Sequence, residues 1–430
     1  MLGTQIKLRL RKNLLCLCLA ALVVPALTSP RPTPAQDKPK KAALAMRAKV
    51  YDRLSKAQVA AEAEDYPKAH ELLRKVEKMK NLDPHEAAQL YTAWGYIYFA
   101  EEKYPQSIDA YEKVLAIEDI PESMEATTLY TLAQLQFQVE NYEGAVDHLG
   151  RWLDSANNPG PGPFVLLGQA YYQLGKYKEA IVPVERALQV AAAREHAPKE
   201  NWYSLLRSLY FETENYPKLV ETLSFLVTKF PQREYWLHLA AAYGEMGQER
   251  RQLATYELAY EQGYLTDGRE VLNLAQLLLQ SDVPYRAGTI LEKAIASERV
   301  ESSAQNWRLL SQAWILAHED AKAVEALTKA ASLSNDGELD ARLAQCHANL
   351  DHWESAVRSV NSALKKGVSD PHELHILAGM AFYELENFSG AKESFREAQK
   401  SPDGRKVASQ WLSYIESEEI RLADIQRSLR

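Results

Sequence analysis

A four-part pattern recurs along this chain, and few folds can host it. A small residue is followed by an aromatic nine positions on, another small residue twelve on and a large apolar residue sixteen on. Its clearest copy is Pro161 to Ala193. There Phe164, Leu167, Gly168 and Tyr171 fall at i, i+3, i+4 and i+7, one face of a helix. Gly175 breaks the run, and a second helix is expected from about Tyr177 with Ala180, Val184 and Ala187 inward. The small residues let the two helices approach closely. One such hairpin cannot bury its apolar face alone, so it needs copies of itself on both sides.

The copies are present. With Gly168 as reference, the small anchor positions are Ala57, Gly95, Ala133, Gly168, Arg207, Ala240, Ala275, Ser311, Ala344 and Gly379, spaced 33 to 39 residues apart. Seven of the ten residues twelve on are alanine, which at helical spacing predicts an all-α array of about ten stacked hairpins. Pro67, Pro105 and Pro217 each follow the aromatic that opens a second helix, where the missing N–H costs little. Pro183 lies deeper and should kink its helix. The fifth and sixth copies depart from the pattern, with Arg207 at an anchor and Leu219 and Gln252 replacing the small residue. Bulk at those places should push paired helices apart, and Arg207 is read as snorkelling to water over a packed stem. The array is assigned to residues 50–405. Residues 406–430 are read as a capping helix, with Trp411, Leu412, Ile415, Ile420 and Leu422 available to cover the last hairpin.

The ends and the charge narrow the setting. Lys7, Arg9, Arg11 and Lys12 precede an uncharged apolar run, Leu14 to Leu27. That run falls short of the about 20 residues that span a bilayer and suits the core of a secretory signal. Residues 1–35 are therefore assigned to a cleaved signal, with a retained N-terminal anchor as the alternative. Residues 36–49 form a proline-bearing linker and the start of the first helix. Removal of residues 1–35 takes away five basic and no acidic residues, leaving 45 minus 58, or −13. Such a chain is a poor match for nucleic acid or an anionic membrane. The expected location is the periplasm. Cys346 would be the one cysteine left, so no internal disulfide is expected.

Catalytic and metal signals are weak. Gly168 to Lys176 only brushes against a phosphate loop, and its glycines are already explained by packing and turning. His372 and His375 sit in PHELH rather than HExxH, and Asn335 to Glu338 reads as a turn and helix cap. No nucleophile, base and oxyanion donor come together. A non-enzyme without cofactor or metal is expected.

The unit resembles the tetratricopeptide repeat. Tyr91, Trp94, Gly95, Tyr98, Ser107 and Tyr111 match that pattern in one copy, and Trp236, Leu239, Ala240, Tyr243, Tyr256 and Ala259 in another. The resemblance implies a right-handed superhelical solenoid whose concave wall is lined by first helices. On that wall the position after the anchor carries Tyr96, Gln134, Gln169, Gln276, Gln312 and Gln345, and the position four after it carries Phe99, Phe137, Tyr172 and Phe211. Amides beside rings suit an extended or proline-rich peptide.

Four segments, Ile120 to Leu135, Glu200 to Glu212, Glu234 to Thr266 and Ser334 to Gln345, also resemble the exported tetratricopeptide protein encoded beside TonB, ExbB and ExbD in some Gram-negative bacteria. That resemblance implies an accessory to energy transduction for outer-membrane uptake, with TonB as candidate partner. The alternative is a cell-envelope assembly scaffold for outer-membrane or peptidoglycan proteins. A glycan-acting enzyme ranks last, because Glu62, Glu212, Glu245 and Glu384 are at least a repeat apart.

Overall fold

The computed structural model describes residues 46–197 and 199–428. The candidate signal and most of the linker lie outside these residues. Among the described residues there are 21 helices and no strand. A first unit, ending at Pro121, pairs α1 (Ala48–Glu62) with α2 (Tyr66–Glu77) and α3 (Pro84–Ala100) with α4 (Tyr104–Leu115). A second unit, from Glu122, pairs α5 (Glu122–Gln138) with α6 (Tyr142–Ser155), α7 (Pro161–Gln173) with α8 (Tyr177–Ala193), α9 (Glu200–Glu212) with α10 (Tyr216–Lys229) and α11 (Arg233–Glu245) with α12 (Glu249–Glu261). It continues with α13 (Gly268–Gln280) and α14 (Pro284–Ala296), α15 (Ala304–Leu316) and α16 (Asp320–Ser332), α17 (Gly337–Asn349) and α18 (Trp353–Lys366), α19 (Pro371–Glu384) and α20 (Phe388–Gln399), and ends in α21 (Arg405–Ser428). The anchors therefore sit one per first helix in ten hairpins. No helix among the described residues is long and apolar enough to cross a membrane.

The hairpins share one turn. The seventh residue after each anchor is left-handed, with φ between 55° and 69°: Glu64, Glu102, Glu140, Glu214, Glu386, Asp282, His318, Asp351, Gly175 and Gly247. Only two of these are glycine, although an L side chain there costs about 1–2 kcal/mol. What holds the others is the closure itself. The next amide donates to the carbonyl five residues back at 2.8–2.9 Å in all ten turns, the closing bond of a Schellman motif. Asp65, Asn141, Asn215 and Asn387 then cap the second helix through their side chains.

Close approach follows from the anchors. A Cβ added at Gly95, Gly168 or Gly379 would stand 2.6, 2.2 or 2.6 Å from Tyr111, Val184 or Phe395, in each case the large residue sixteen on. Where serine replaces alanine twelve on, Ser107 Oγ donates to the Gly95 carbonyl at 2.7 Å, satisfying a hydroxyl that would be costly to bury alone. In the fifth hairpin, α9 and α10 approach each other least closely of the ten pairs. Buried Leu205, Leu209, Leu219, Leu223 and Leu226 fill that wider gap, as the bulk at Arg207 and Leu219 leads one to expect. α8 runs unbroken through Pro183.

Ion pairs pin successive first helices. Arg47, just before α1, donates through Nε to both oxygens of buried Glu86 on α3 at 2.9 and 3.0 Å. The Arg47 guanidinium pulls the Glu86 carboxyl down to about 2. Arg233 at the start of α11 bonds Glu270 of α13, donating to one oxygen through Nε at 3.4 Å and to the other through Nη2. Asp83 and Asp267 complete reciprocal caps with those two glutamates.

The end of the array differs from expectation at one residue. Trp411 stacks on Phe395, with ring centres 5.4 Å apart, and Ile415 is fully buried. Ile420, expected on the same covering face, is 64% exposed. α21 has 24 residues against 12 in α20, so its last turns outrun the hairpin. Glu419 turns toward Lys392, which donates to it at 2.8 Å, and the next residue points about 100° away from that contact.

Candidate partner-binding site

What the ten candidate residues share is register on the first helices. Tyr96 and Phe99 belong to the first unit, and Gln134, Phe137, Gln169, Tyr172, Phe211, Gln276, Gln312 and Gln345 to the second. All four aromatics of the second row are half-buried. The cause is local. Phe99 packs on Tyr104, Phe137 on Tyr142 and Tyr172 on Tyr177, with ring centres 5.9, 5.3 and 5.4 Å apart. Each ring thus spans its own hairpin turn to the aromatic that opens the second helix. Tyr383 and Phe388 repeat the arrangement at 5.7 Å in the last hairpin, and Phe211 and Tyr216 both flank the core of the second unit. One side of the Phe99, Phe137 and Tyr172 rings is therefore committed to closing the hairpin.

The amides divide by position. Gln134 and Gln169 are half-buried, whereas Gln276, Gln312 and Gln345 are exposed on α13, α15 and α17. Gln345 donates to Asn349 on its own helix at 2.9 Å. Tyr96 is half-buried, and burial raises its phenol above the ordinary range. Two open clefts lie at hairpin turns, around Gly175, Tyr177 and Glu212 to Glu214, and around Gly247 to Arg251.

A polar group joins α9 and α11. Arg207 Nη1 bonds His238 Nδ1 at 2.9 Å, and the guanidinium carbon stands 5.5 Å from the Tyr235 ring centre. Tyr235 donates to Glu200 at 2.6 Å and lies 3.0 Å from Ser204 Oγ. Burial, then the charge of Arg207, push the His238 imidazole down to about 3, so it is neutral and Nδ1 accepts. Burial also lowers Arg207 itself. The side chain is half-buried and reaches across to the next first helix. The sequence signal was present: arginine stands where nine other anchors are alanine, glycine or serine.

Cys346 and His372 each have a local partner. Cys346 is buried and its thiol is pushed up to about 12, first by burial and then by a bond with Asp320. His372 bonds Asp370 at the start of α19.

The family model of anaphase-promoting complex (cyclosome) subunit 3 matches residues 100–187, from the last residue of α3 into α8. The register of these hairpins is similar to that of the tetratricopeptide repeat. Solved structures similar to the array include a tetratricopeptide repeat protein from Parabacteroides merdae, with 17% identity, a TM-score of 0.36, and 66% of this chain and 93% of that one covered. The yeast Sti1 TPR2AB domain in complex with pHSP90 aligns at 14% identity and a TM-score of 0.34, covering 62% of this chain and 98% of that one. YrrB, described as having an unusual peptide-binding site, aligns at 17% identity and a TM-score of 0.35, covering 44% of this chain and 97% of its own. No curated protein matches this chain.

Proposed function

We propose that this chain is a non-catalytic scaffold that takes an extended segment of a protein partner along the first helices of its repeats. The observation that carries the reading is the exposure of Gln276, Gln312 and Gln345 at one register on three successive first helices. A primary amide both donates and accepts, which is what an extended backbone with unpaired N–H and C=O groups requires. Half-buried rings at the neighbouring register add apolar contact where one ring face remains free. The finer reading places the chain in the periplasm as an accessory to TonB, ExbB and ExbD, with a proline-rich segment of TonB as occupant. It rests on the N-terminal signal pattern and on the four resembling segments.

A pull-down from periplasm on the purified chain tests this. Wild-type chain should capture TonB. Joint replacement of Gln276, Gln312 and Gln345 by Ala, exposed and so harmless to the fold, should weaken capture about tenfold, as should the Phe99, Phe137, Tyr172 and Phe211 set changed to Ala. Full TonB binding by both variants overturns the groove. Capture of envelope-assembly proteins without TonB removes the transport role and keeps the scaffold.

A further inference from the structure

Arg207 is set up unlike those cations of the array that pair with a carboxylate. Arg47 and Arg233 each meet a buried or nearly buried glutamate, and Lys366 meets Asp340 at 2.7 Å. Arg207 meets a neutral imidazole and the face of a tyrosine ring, and no carboxylate of the described residues pairs with it. Glu234 and Glu200 act on its charge without bonding it, and Glu200 is occupied by the Tyr235 hydroxyl and by Gln232 Nε2 at 2.6 and 2.8 Å. A guanidinium has five N–H donors, and one of them is spent on His238. None of its nitrogens is buried without a partner, so the remaining edge is open to water.

Its position relates it to the proposed groove. Phe211 is four residues on along α9 and shares its face, and Tyr172 on α7 is close enough to act on the guanidinium charge. Tyr235 and His238 close the other side from α11. The charge is partly desolvated, which makes it a stronger attractor for an anion than a lysine on open surface. The surrounding chain is acidic, with a formal net charge of −8, so a partner rich in acid is repelled while a single acid at the right place is drawn in.

We propose that Arg207 is a specificity subsite for one Asp or Glu side chain carried by an otherwise neutral or basic extended peptide. This rests on the groove reading above and names the chemistry that the groove selects. The planar fork takes the carboxylate through two parallel N–H···O bonds, while Tyr172 and Phe211 flank the neighbouring peptide residues.

The test uses the whole chain and two pools of proline-rich peptides of about twelve residues, identical except that one carries Glu where the other carries Gln. Fluorescence anisotropy at low salt should show the Glu pool binding about tenfold tighter, the size of one charge-assisted pair. Arg207→Ala should bring the two pools within about twofold of each other, and Arg207→Lys should keep part of the preference. Arg207→Met, which keeps an apolar stem in the wide hairpin, should also bring the two pools together while melting close to the parent chain, whereas a purely structural arginine would leave the ratio of the two pools unchanged. Equal binding of both pools to the parent chain overturns the subsite and leaves the groove standing. Binding of neither pool overturns both. A preference that survives in Arg207→Ala assigns the carboxylate elsewhere and overturns the proposal.

Discussion

In the fourth hairpin Gly168 lets Val184 lie against the backbone of α7, whereas in the fifth Arg207 and Leu219 fill the two positions that would permit such contact, and α9 and α10 stand further apart. The first hairpin of this pair is held by proximity, the second by bulk. Leu219 and Leu223 occupy the width that the larger anchor opens, and the anchor itself turns toward α11. The repeat therefore tolerates a wide hairpin as long as large apolar side chains fill it, and the width admits a polar group among the first helices.

The largest expected effect comes from forcing the fourth hairpin to resemble the fifth. Gly168→Leu drives side-chain atoms into Val184 and toward the Ala180 carbonyl, and should destabilise α7 and α8 by about 3 kcal/mol. Hydrogen exchange of those two helices reads it. A loss under about 1 kcal/mol would mean that any hairpin of the array can widen freely. The reverse change, Leu219→Ala, should cost about 2 kcal/mol through the cavity it leaves in a buried site. Near-zero loss would show α9 and α10 closing to the usual distance, and the comparison would be one of degree only.

Acid separates the two hairpins further. His238 has a folded-state value of about 3, below its unfolded value of about 6.5. The unfolded chain therefore binds the proton first. The contribution of the neutral His238 is present in full above about pH 6.5 and falls as pH drops toward 3, by up to about 1.4 kcal/mol per pH unit. Exchange between pH 7 and 5 should thus show α9 to α11 loosening while α7 and α8 hold. His238→Gln should flatten that slope; a slope unchanged in this variant would assign the acid sensitivity to another group.

The anchors and the residues twelve and sixteen on were legible because close helix packing demands small against large at fixed spacing, and ten hairpins follow that register. The shared turn was not legible. Five of its ten left-handed residues are glutamate, a residue with no preference for that conformation, and the geometry is imposed by the closing bond instead. The ring pairs Phe99 with Tyr104 and Tyr172 with Tyr177 escaped for a related reason. They are five apart, a spacing that neither helical nor strand periodicity marks, and they meet only because a turn lies between them. Ile420 was placed by helical periodicity on a covering face, but periodicity carries no information about where the covered hairpin stops. At Arg207 the residue type was visible and its neighbours were not, since Tyr235 and His238 belong to the next repeat.

The uniform turn also bears on how the chain reaches its folded state. Each hairpin is closed by a bond between residues five apart, and its two helices meet through positions twelve to sixteen apart. Native contacts of such short separation cost little loop entropy to form. Folding can therefore nucleate at more than one place along the array and spread to neighbouring repeats. The tight hairpins, such as the fourth, are the natural starting points, and the wide fifth hairpin is the step at which a spreading front should slow.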